Sequence, residues 1–178
     1  FGNGRLISRW PLRSGVAVEN GVVYVAAGMW PSEGVYVYAL RARDGTAVWE
    51  NGTSGTLYIK QPHGGSFAMT GSSPQGIVLG HKGQLFVPTG RNVPAAFDRS
   101  TGKMQYYRSA PSGWINRWGG CWNILVKNFL IGWKTHHGLD FNSQLGAYPP
   151  DAKDGLVVFD ATSGKELREV SGPLRAAV

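Results

Sequence analysis

The segment Ala96-Phe-Asp-Arg-Ser-Thr-Gly-Lys-Met-Gln-Tyr106 joins two apolar runs through a polar turn that closes on glycine. The same pattern returns as Ala39-Leu-Arg-Ala-Arg-Asp-Gly-Thr-Ala-Val-Trp49 and as Val158-Phe-Asp-Ala-Thr-Ser-Gly-Lys-Glu-Leu-Arg168. Each copy predicts a β-hairpin, because Asp, Ser and Thr side chains bond the local backbone and glycine accepts the left-handed conformation. Three copies at intervals of about 60 residues indicate a repeat architecture.

A second hairpin pattern precedes each copy. Residues 16–26 form two alternating apolar runs around Asn20-Gly21, which is a strong short-range hairpin signal. Residues 77–87 repeat this shape around His81-Lys82-Gly83, and residues 122–131 repeat it around Lys127-Asn128. Each repeat is therefore predicted to be a meander of four antiparallel strands.

Recurring four-stranded meanders are typical of β-propeller blades, which pack face to face around a central channel. We predict an all-β fold with about three blades, at residues 14–50, 75–108 and 120–170. The blades are separated or interrupted by long insertions at Asn51–Ser72, Ser109–Gly119 and Trp133–Asp154. Because binding usually lies on long connections of a rigid scaffold, these insertions are the expected location of a binding site.

The composition agrees with many short strands joined by tight turns. Of 178 residues, 26 are Gly and 10 are Pro, and only 16% are charged. The formal net charge of +7 is spread along the chain without a basic run, which favours a solvated basic surface over a nucleic-acid site. A single Cys excludes an internal disulfide, and no apolar run is long enough to span a membrane. The chain starts at Phe1 with no initiating Met, so we expect a piece of a longer protein.

The pattern Ala-x-Asp-x-x-Thr-Gly-x-x-x-Trp resembles the tryptophan-docking repeat of the pyrroloquinoline-quinone (PQQ) dehydrogenase-like propellers. The middle copy keeps Ala96, Asp98, Thr101 and Gly102, with Tyr106 in the aromatic position. The first copy departs at the Asp and Thr positions, and the third copy ends on Arg in place of the aromatic. With the upstream hairpins, the resemblance covers nearly the whole chain.

The resemblance implies a ring of about seven or eight blades, of which this chain would be a fragment. Members of the group are periplasmic quinoprotein alcohol and glucose dehydrogenases, the propeller scaffold of outer-membrane protein assembly, and uncharacterised secreted bacterial propellers. The runs Ser8-Arg-Trp-Pro-Leu-Arg-Ser-Gly15 and Pro88-Thr-Gly-Arg91 look most like the last group. A periplasmic or secreted bacterial protein is therefore expected.

Three functional interpretations follow from these features. The first is a non-catalytic quinoprotein-like propeller that acts as a binding or scaffold module for protein or carbohydrate, with no cofactor. The alternative is part of a PQQ- and calcium-dependent quinoprotein oxidoreductase acting on alcohols or sugars, with base and calcium ligands in other blades of the parent chain. The dehydrogenases carry adjacent cysteines, which Cys121 alone cannot provide. A purely structural scaffold is the third interpretation.

The candidate ligand-binding residues lie on the insertions or where the chain enters an inner strand. Arg13 and Arg91 could pair with the carboxylates of an anionic ligand or bond loop carbonyls as structural residues, and Gln75 faces the predicted channel. Trp114 and Trp118 could stack on a sugar or a flat ligand, or pack between blades. No catalytic residue and no metal site are predicted.

Two further aromatic residues and the cysteine are assigned to packing. Trp122 and Trp133 fall on predicted strands, where Trp commonly fills the space between blades. Cys121, without a basic partner, is expected to be a small buried apolar residue.

Overall fold

The computed structural model describes residues 4–60, 66–90, 92–108, 116–136 and 155–171, and these are almost entirely β-strand and turn. One 3-10 turn lies at Pro31–Glu33, and the described residues hold no α-helix. The strands are β1 Ser14–Gly15, β2 Ala17–Glu19, β3 Val22–Ala27, β4 Tyr36–Arg41, β5 Ala47–Asn51, β6 Leu57–Lys60, β7 Phe67–Thr70, β8 Gly76–Ile77, β9 Leu79–His81, β10 Gln84–Val87, β11 Ala95–Asp98, β12 Met104–Tyr106, β13 Asn116–Val126, β14 Phe129–His136, β15 Gly155–Asp160 and β16 Glu166–Ser171.

Three four-stranded antiparallel sheets form the blades, each with its strands in sequence order. Blade 1 consists of β2 to β5, blade 2 of β9 to β12 and blade 3 of β13 to β16. The predicted all-β meander is thus confirmed. Strands β13 and β14 extend into the predicted insertions, because they pair with one another out to Asn116 and His136.

The glycine-closed turns share one backbone hydrogen bond in all three blades, in which Gly45, Gly102 or Gly164 donates to the carbonyl four residues earlier at 2.8 Å. In blade 2 the Asp98 carboxylate accepts hydrogen bonds from the backbone N–H groups of Ser100 and Thr101, both at 2.9 Å. The N–H of Gly102 donates to the Asp98 carbonyl at 2.8 Å, and Gly102 has a φ of 72°, which only glycine adopts without strain. The turn is therefore specified by its own four or five residues.

Each blade has two faces, which we call leading and trailing, the leading face being turned to the next blade along the chain. Strand register places one row of side chains across each leading face: Ala17, Tyr24, Ala39 and Trp49 in blade 1, Leu79, Phe86, Ala96 and Tyr106 in blade 2, and Ile124, Ile131, Val158 and Arg168 in blade 3. The matching rows of the trailing faces are Val18, Val23, Leu40 and Ala47, then Gly80, Leu85, Phe97 and Met104, then Leu125, Leu130, Phe159 and Glu166.

The core lies between these faces. Tyr24 and Ala39 of blade 1 pack with Leu85 and Phe97 of blade 2 in one buried cluster. A second cluster joins the leading face of blade 2 to the trailing face of blade 3, and it includes Phe159. Full burial of such a side chain contributes about 2 kcal/mol, so the stacked faces hold the blades together.

The docking of an aromatic residue on the next turn is the most specific contact between blades. The Trp49 ring lies against Gly102, and its indole N–H donates to the Arg99 carbonyl at 2.9 Å. Tyr106 lies against Gly164 in the same way, and its hydroxyl donates to the Ala161 carbonyl at 2.9 Å. Both aromatic side chains therefore lie between consecutive blades.

Two polar contacts reinforce the same joints. Glu19 of blade 1 forms an ion pair with Arg99 of blade 2. The Lys82 ammonium of blade 2 donates to the Asn128 amide oxygen of blade 3 at 3.0 Å.

Candidate functional site

The two ends of the stacked sheets differ in their connections. One end, the turn end, carries the tight turns after β2, β4, β9, β11, β13 and β15. The other, which we call the insertion end, carries the connections after β3, β5, β10, β12 and β14. Residues 109–115 and 137–154 lie outside the described residues, but the strands that they connect all terminate at the insertion end. Among the described strands, those that flank a connection longer than a tight turn therefore meet it at one end of the sheets.

A β-hairpin of β6 and β7 lies at the insertion end and carries exposed apolar side chains. Tyr58 pairs with Met69, and Phe67 lies two residues from Met69 on the same strand, so the side chains of these three residues share one face. Tyr58, Phe67 and Met69 are 66%, 58% and 51% exposed, and the Tyr58 and Phe67 rings lie 5.9 Å apart. An exposed face of Tyr, Phe and Met is characteristic of a binding surface.

The base of this hairpin is tightly fixed. The Ser72 N–H donates to the Ser54 carbonyl at 3.0 Å, and a Cβ at Gly71 would overlap that same carbonyl. The Asn51 amide oxygen accepts from the Ser54 N–H at 3.1 Å, while its NH₂ donates to the Gly102 carbonyl of blade 2 at 2.6 Å. The hairpin thus projects from a rigid joint between blades 1 and 2.

The connection after β3 adds further exposed apolar side chains. Met29 and Trp30 precede the 3-10 turn and are 38% and 60% exposed. The Ser73 hydroxyl donates to the Met29 carbonyl at 3.0 Å, and strand β7 contacts the 3-10 turn. This connection and the hairpin therefore form one continuous part of the insertion end, which we call the aromatic surface (Met29, Trp30, Tyr58, Phe67 and Met69).

The inner strands approach one another at the same end. β1 pairs in parallel with β8, Ser14 lying opposite Gly76. Arg13 and Gln75 precede these two residues, so the predicted ligand-binding residues Arg13 and Gln75 begin neighbouring strands. The Arg13 side chain is exposed, and the Gln75 amide oxygen lies 3.8 Å from the Cys121 sulfur.

The structure describes three of the predicted binding residues only in part or not at all. Arg91 and Trp114 lie outside the described residues. Trp118 lies on β13, where its backbone pairs with Lys134, and its side chain is outside the described set. The participation of all three in binding stays a prediction.

The prediction that Cys121 is buried is wrong, because its side chain is exposed. Residues 120–123 bulge out of β13 opposite a single residue of β14, since Gly119 pairs with Trp133 and the next paired residue is Ile124. The Gly90 N–H donates to the Gly120 carbonyl at 3.2 Å, which ties the bulge to the connection after β10 of blade 2.

Trp122, in the same bulge, contacts Trp133 with ring centroids 6.1 Å apart. Trp122 nevertheless remains 49% exposed, so within the described residues it does not fill space between two blades. The predicted packing role of Trp122 is therefore met only by its contact with Trp133.

A buried polar cluster fixes the connection after β10. The Asn92 amide donates to the Tyr107 hydroxyl at 2.7 Å, and the Thr89 hydroxyl contacts the Asn92 carbonyl at 3.4 Å. Burial raises the pKa of Tyr107 above its usual value, and its hydrogen bonds with Thr70 and Asn92 oppose this in part. Tyr107 is thus a neutral structural hydroxyl that links blade 2 to the hairpin.

Sequence reasoning did not identify the hairpin as an element. A signal was present, since Leu57-Tyr-Ile59 and Phe67-Ala-Met-Thr70 are two β-prone runs separated by a segment with Pro62 and Gly64-Gly65. The segment was interpreted only as an insertion.

The metal-binding side chains among the described residues do not make up a PQQ–calcium site by themselves. No group of three or more His, Cys, Asp or Glu side chains in the described residues could hold a metal ion. Cys121 is a single free thiol beside Gln75. Any such site would need residues beyond those described. Among the same residues, no helix is long and apolar enough to cross a membrane.

The comparisons with known proteins concern the fold. No protein-family model matches the sequence, and no curated protein matches it. A europium-containing methanol dehydrogenase superimposes with a TM-score of 0.59 at 16% identity, over 96% of this chain and 27% of that one. The quinohemoprotein alcohol dehydrogenase from Comamonas testosteroni gives 0.54 at 18% identity, over 92% and 21%. A computationally designed protein, Ika4, gives 0.51 at 11% identity, over 93% and 75%.

These likenesses are below 25% identity, and a shared propeller does not carry a shared chemistry. The chain spans about a quarter of the length of the dehydrogenases that it matches. With its three meander blades and their aromatic docking contacts, the chain has the fold of part of a β-propeller similar to those of quinoprotein dehydrogenases.

Proposed function

We propose that the chain is a non-catalytic binding or scaffold module that engages protein or carbohydrate through its insertion end. The observation that carries this proposal is the aromatic surface. Tyr and Trp supply large contact areas with a polar edge, and they are enriched at the centres of protein interfaces and on sugar-binding surfaces.

The rigid joint below the hairpin supports this function. Because Asn51 ties the hairpin base to the turn of blade 2, the exposed rings are held in place before a ligand arrives. A pre-ordered surface loses less conformational entropy on binding than a mobile loop does. Arg13 and Gln75 begin the neighbouring inner strands and would add polar contacts on the channel side.

The alternative is part of a PQQ- and calcium-dependent oxidoreductase that acts on alcohols or sugars. The fold likeness to two alcohol-oxidising enzymes favours it, and the chain spans only a fraction of their length. In that case other blades supply the base and the calcium ligands, and Arg13 or Arg91 pairs with the quinone carboxylates. Both proposals place the protein in the periplasm or outside the cell, by its resemblance to that group.

A parallel screen separates the two proposals. A displayed peptide library and an oligosaccharide array are selected on the purified chain, and the ligands recovered are titrated by calorimetry. The double variant Tyr58→Ala with Phe67→Ala should weaken binding at least about tenfold, the effect of losing 1.4 kcal/mol. Val48→Ala truncates an apolar side chain of β5 that is 49% exposed and lies outside the aromatic surface, and it should leave affinity unchanged.

Ligands that bind the double variant as tightly as the native chain would contradict the proposed surface. Saturable binding of PQQ with Ca²⁺, in the absence of any such ligand, would favour the oxidoreductase.

A further inference from the structure

The turn end of blades 2 and 3 brings together lysines that are far apart in the sequence. The inner turns, between the first and second strands of a blade, carry Lys82 in blade 2 and Lys127 in blade 3. The outer turns, between the third and fourth strands, carry Lys103 and Lys165, each directly after the closing glycine. All four residues are exposed, and they belong to turns that are complete within the two blades. We call them the lysine surface (Lys82, Lys103, Lys127 and Lys165).

Hydrogen bonds hold these four turns side by side. In blade 2 the Arg99 N–H of the outer turn donates to the Gly83 carbonyl of the inner turn at 2.8 Å. In blade 3 the Ala161 N–H donates to the Asn128 carbonyl in the same way, also at 2.8 Å. Between the blades, the Lys82 ammonium donates to the Asn128 amide oxygen at 3.0 Å. The lysines therefore form two rows of two, an inner and an outer row, across neighbouring blades.

The carboxylates of these turns are engaged within the fold. Asp98 and Asp160 each accept hydrogen bonds from the backbone and the hydroxyl groups of their own turn. Glu19, at the inner turn of blade 1, forms its ion pair with Arg99. Within the described part of the chain, no ion pair is formed by Lys103, Lys127 or Lys165. The lysine surface therefore carries positive charges that carboxylates of the described residues do not pair.

The arrangement of the lysines indicates the shape and the chemistry of a partner. Four cations spread in two directions match a plane of negative charge, whereas a single linear polymer would follow one row. The tips of the turns are polar, being Lys82-Gly83, Ser100-Thr101, Lys127-Asn128 and Thr162-Ser163, so they offer no apolar side chain for insertion. Lysine binds phosphate as a point charge without a fixed orientation, which suits a surface of mobile phosphates.

We propose that the lysine surface docks the protein on the phosphate headgroups of an anionic lipid bilayer. The contact is electrostatic and stays at the level of the headgroups, so it is reversible and weakens as salt is added. This function goes beyond the ligand binding proposed above, because it uses the turn end. The aromatic surface belongs to the insertion end and stays open to its own ligand.

Co-sedimentation of the purified chain with lipid vesicles tests this proposal. The native chain should bind vesicles that contain phosphatidylglycerol, should not bind vesicles of phosphatidylcholine alone, and should be released by high salt. Replacement by glutamine of any one of Lys103, Lys127 and Lys165 should weaken binding about fivefold, and the triple variant should weaken it roughly a hundredfold.

A second triple variant is the matched control. Arg5→Gln, Arg9→Gln and Arg168→Gln remove the same total charge from exposed residues that lie outside the turns. Because they are away from the docking surface, their loss should weaken vesicle binding less than about threefold. Circular dichroism on both triple variants shows that they are folded.

Three results would overturn the proposal. The first is no binding to phosphatidylglycerol vesicles, or an equal loss in the two triple variants, which would mean that only net charge matters. The second is tighter binding to dextran sulfate than to vesicles at the same concentration of negative charge, which would favour a linear polymer. The third is quenching of tryptophan fluorescence by vesicles with brominated acyl chains, because exposed rings such as Trp30 at the insertion end would then enter the bilayer.

Discussion

At the scale of single residues, the joint between blades depends on the absence of a side chain. The Trp49 ring fits because Gly102 has no Cβ, and one added at this position would overlap the indole. The same glycine also has the positive φ that closes the turn. One residue therefore serves both the local hairpin and the contact with the neighbouring blade, which explains why the three copies align on it.

Replacement of Gly102 by alanine should separate these two roles when it is compared with Gly83→Ala. Gly83 lies in another turn of blade 2 with a φ of 78° and open space in its Cβ direction. We expect Gly83→Ala to cost about 1 kcal/mol, the effect of a positive φ alone. Gly102→Ala should cost roughly 3 kcal/mol or more, because the indole must also move. Urea unfolding measures both, and equal losses would refute the docking contact.

Asp98 should make the stability of blade 2 depend on pH. Hydrogen bonds from the Ser100 hydroxyl, and then from Thr101, hold the pKa of the Asp98 carboxyl below its usual value. A carboxyl with a lowered pKa in the fold stabilises it at pH above the ordinary carboxyl pKa, and this contribution is lost as pH falls through the lowered value. The thermal midpoint of Asp98→Ala should lie below that of the native chain at neutral pH, and the gap should narrow in acid.

Asp98→Asn provides the control for this effect. The amide oxygen can still accept the turn hydrogen bonds, but it carries no charge, so the loss at neutral pH should be smaller than for alanine. A gap between the native chain and Asp98→Ala that is constant down to strongly acidic pH would show that the carboxylate charge contributes nothing.

At the scale of elements, the hairpin of β6 and β7 is an addition to a complete blade. The two chain segments at its base lie close together, because the Ser54 carbonyl accepts a hydrogen bond from the Ser72 N–H at 3.0 Å. A short linker can therefore join them. Replacing residues 57–70 by a Gly-Ser turn should change the free energy of unfolding by about 1 kcal/mol or less, because the three blade sheets keep their strands. Ligands selected on the native chain should lose binding altogether.

Circular dichroism and denaturant unfolding check the first part, and calorimetry checks the second. The linker removes Thr70 and with it a hydrogen bond to Tyr107, so a variant that restores a Thr next to Gly71 is the appropriate comparison. A collapse of blade 2 in both variants would show that the hairpin is part of the core.

Sequence reasoning predicted the elements whose conformation is determined by residues close to them in the chain. Asn20-Gly21 and the turn at Gly102 specify their hairpins within a few residues, and three copies in phase specify the repeat. The exposure of Cys121 was mispredicted because it depends on register: the bulge at residues 120–123 is held by Gly90 of another blade. Contacts of this kind have no pattern in the sequence around the cysteine.

The same reasoning explains the outcome for the candidate site. Arg13 and Gln75 directly precede the paired strands β1 and β8, a position that follows from strand order alone, and their part in binding stays a prediction. The aromatic surface was missed, because Tyr58 and Phe67 share a face only through the pairing of β6 with β7. Long connections identify the end of a propeller where a site lies, but not which of their side chains point outward.

At the scale of the whole molecule, the three described blades are held by two joints of the same construction. Trp49 docks on the turn of blade 2, and Tyr106 docks on the turn of blade 3. Because these joints couple the blades into one unit, Trp49→Ala and Tyr106→Ala should each lower the free energy of unfolding by roughly 3 kcal/mol and still leave a single transition. Urea unfolding followed both by circular dichroism and by tryptophan fluorescence measures this coupling. Two transitions in either variant, or different midpoints for the two probes, would mean that the blades unfold separately, as repeats that contact only their neighbours can do.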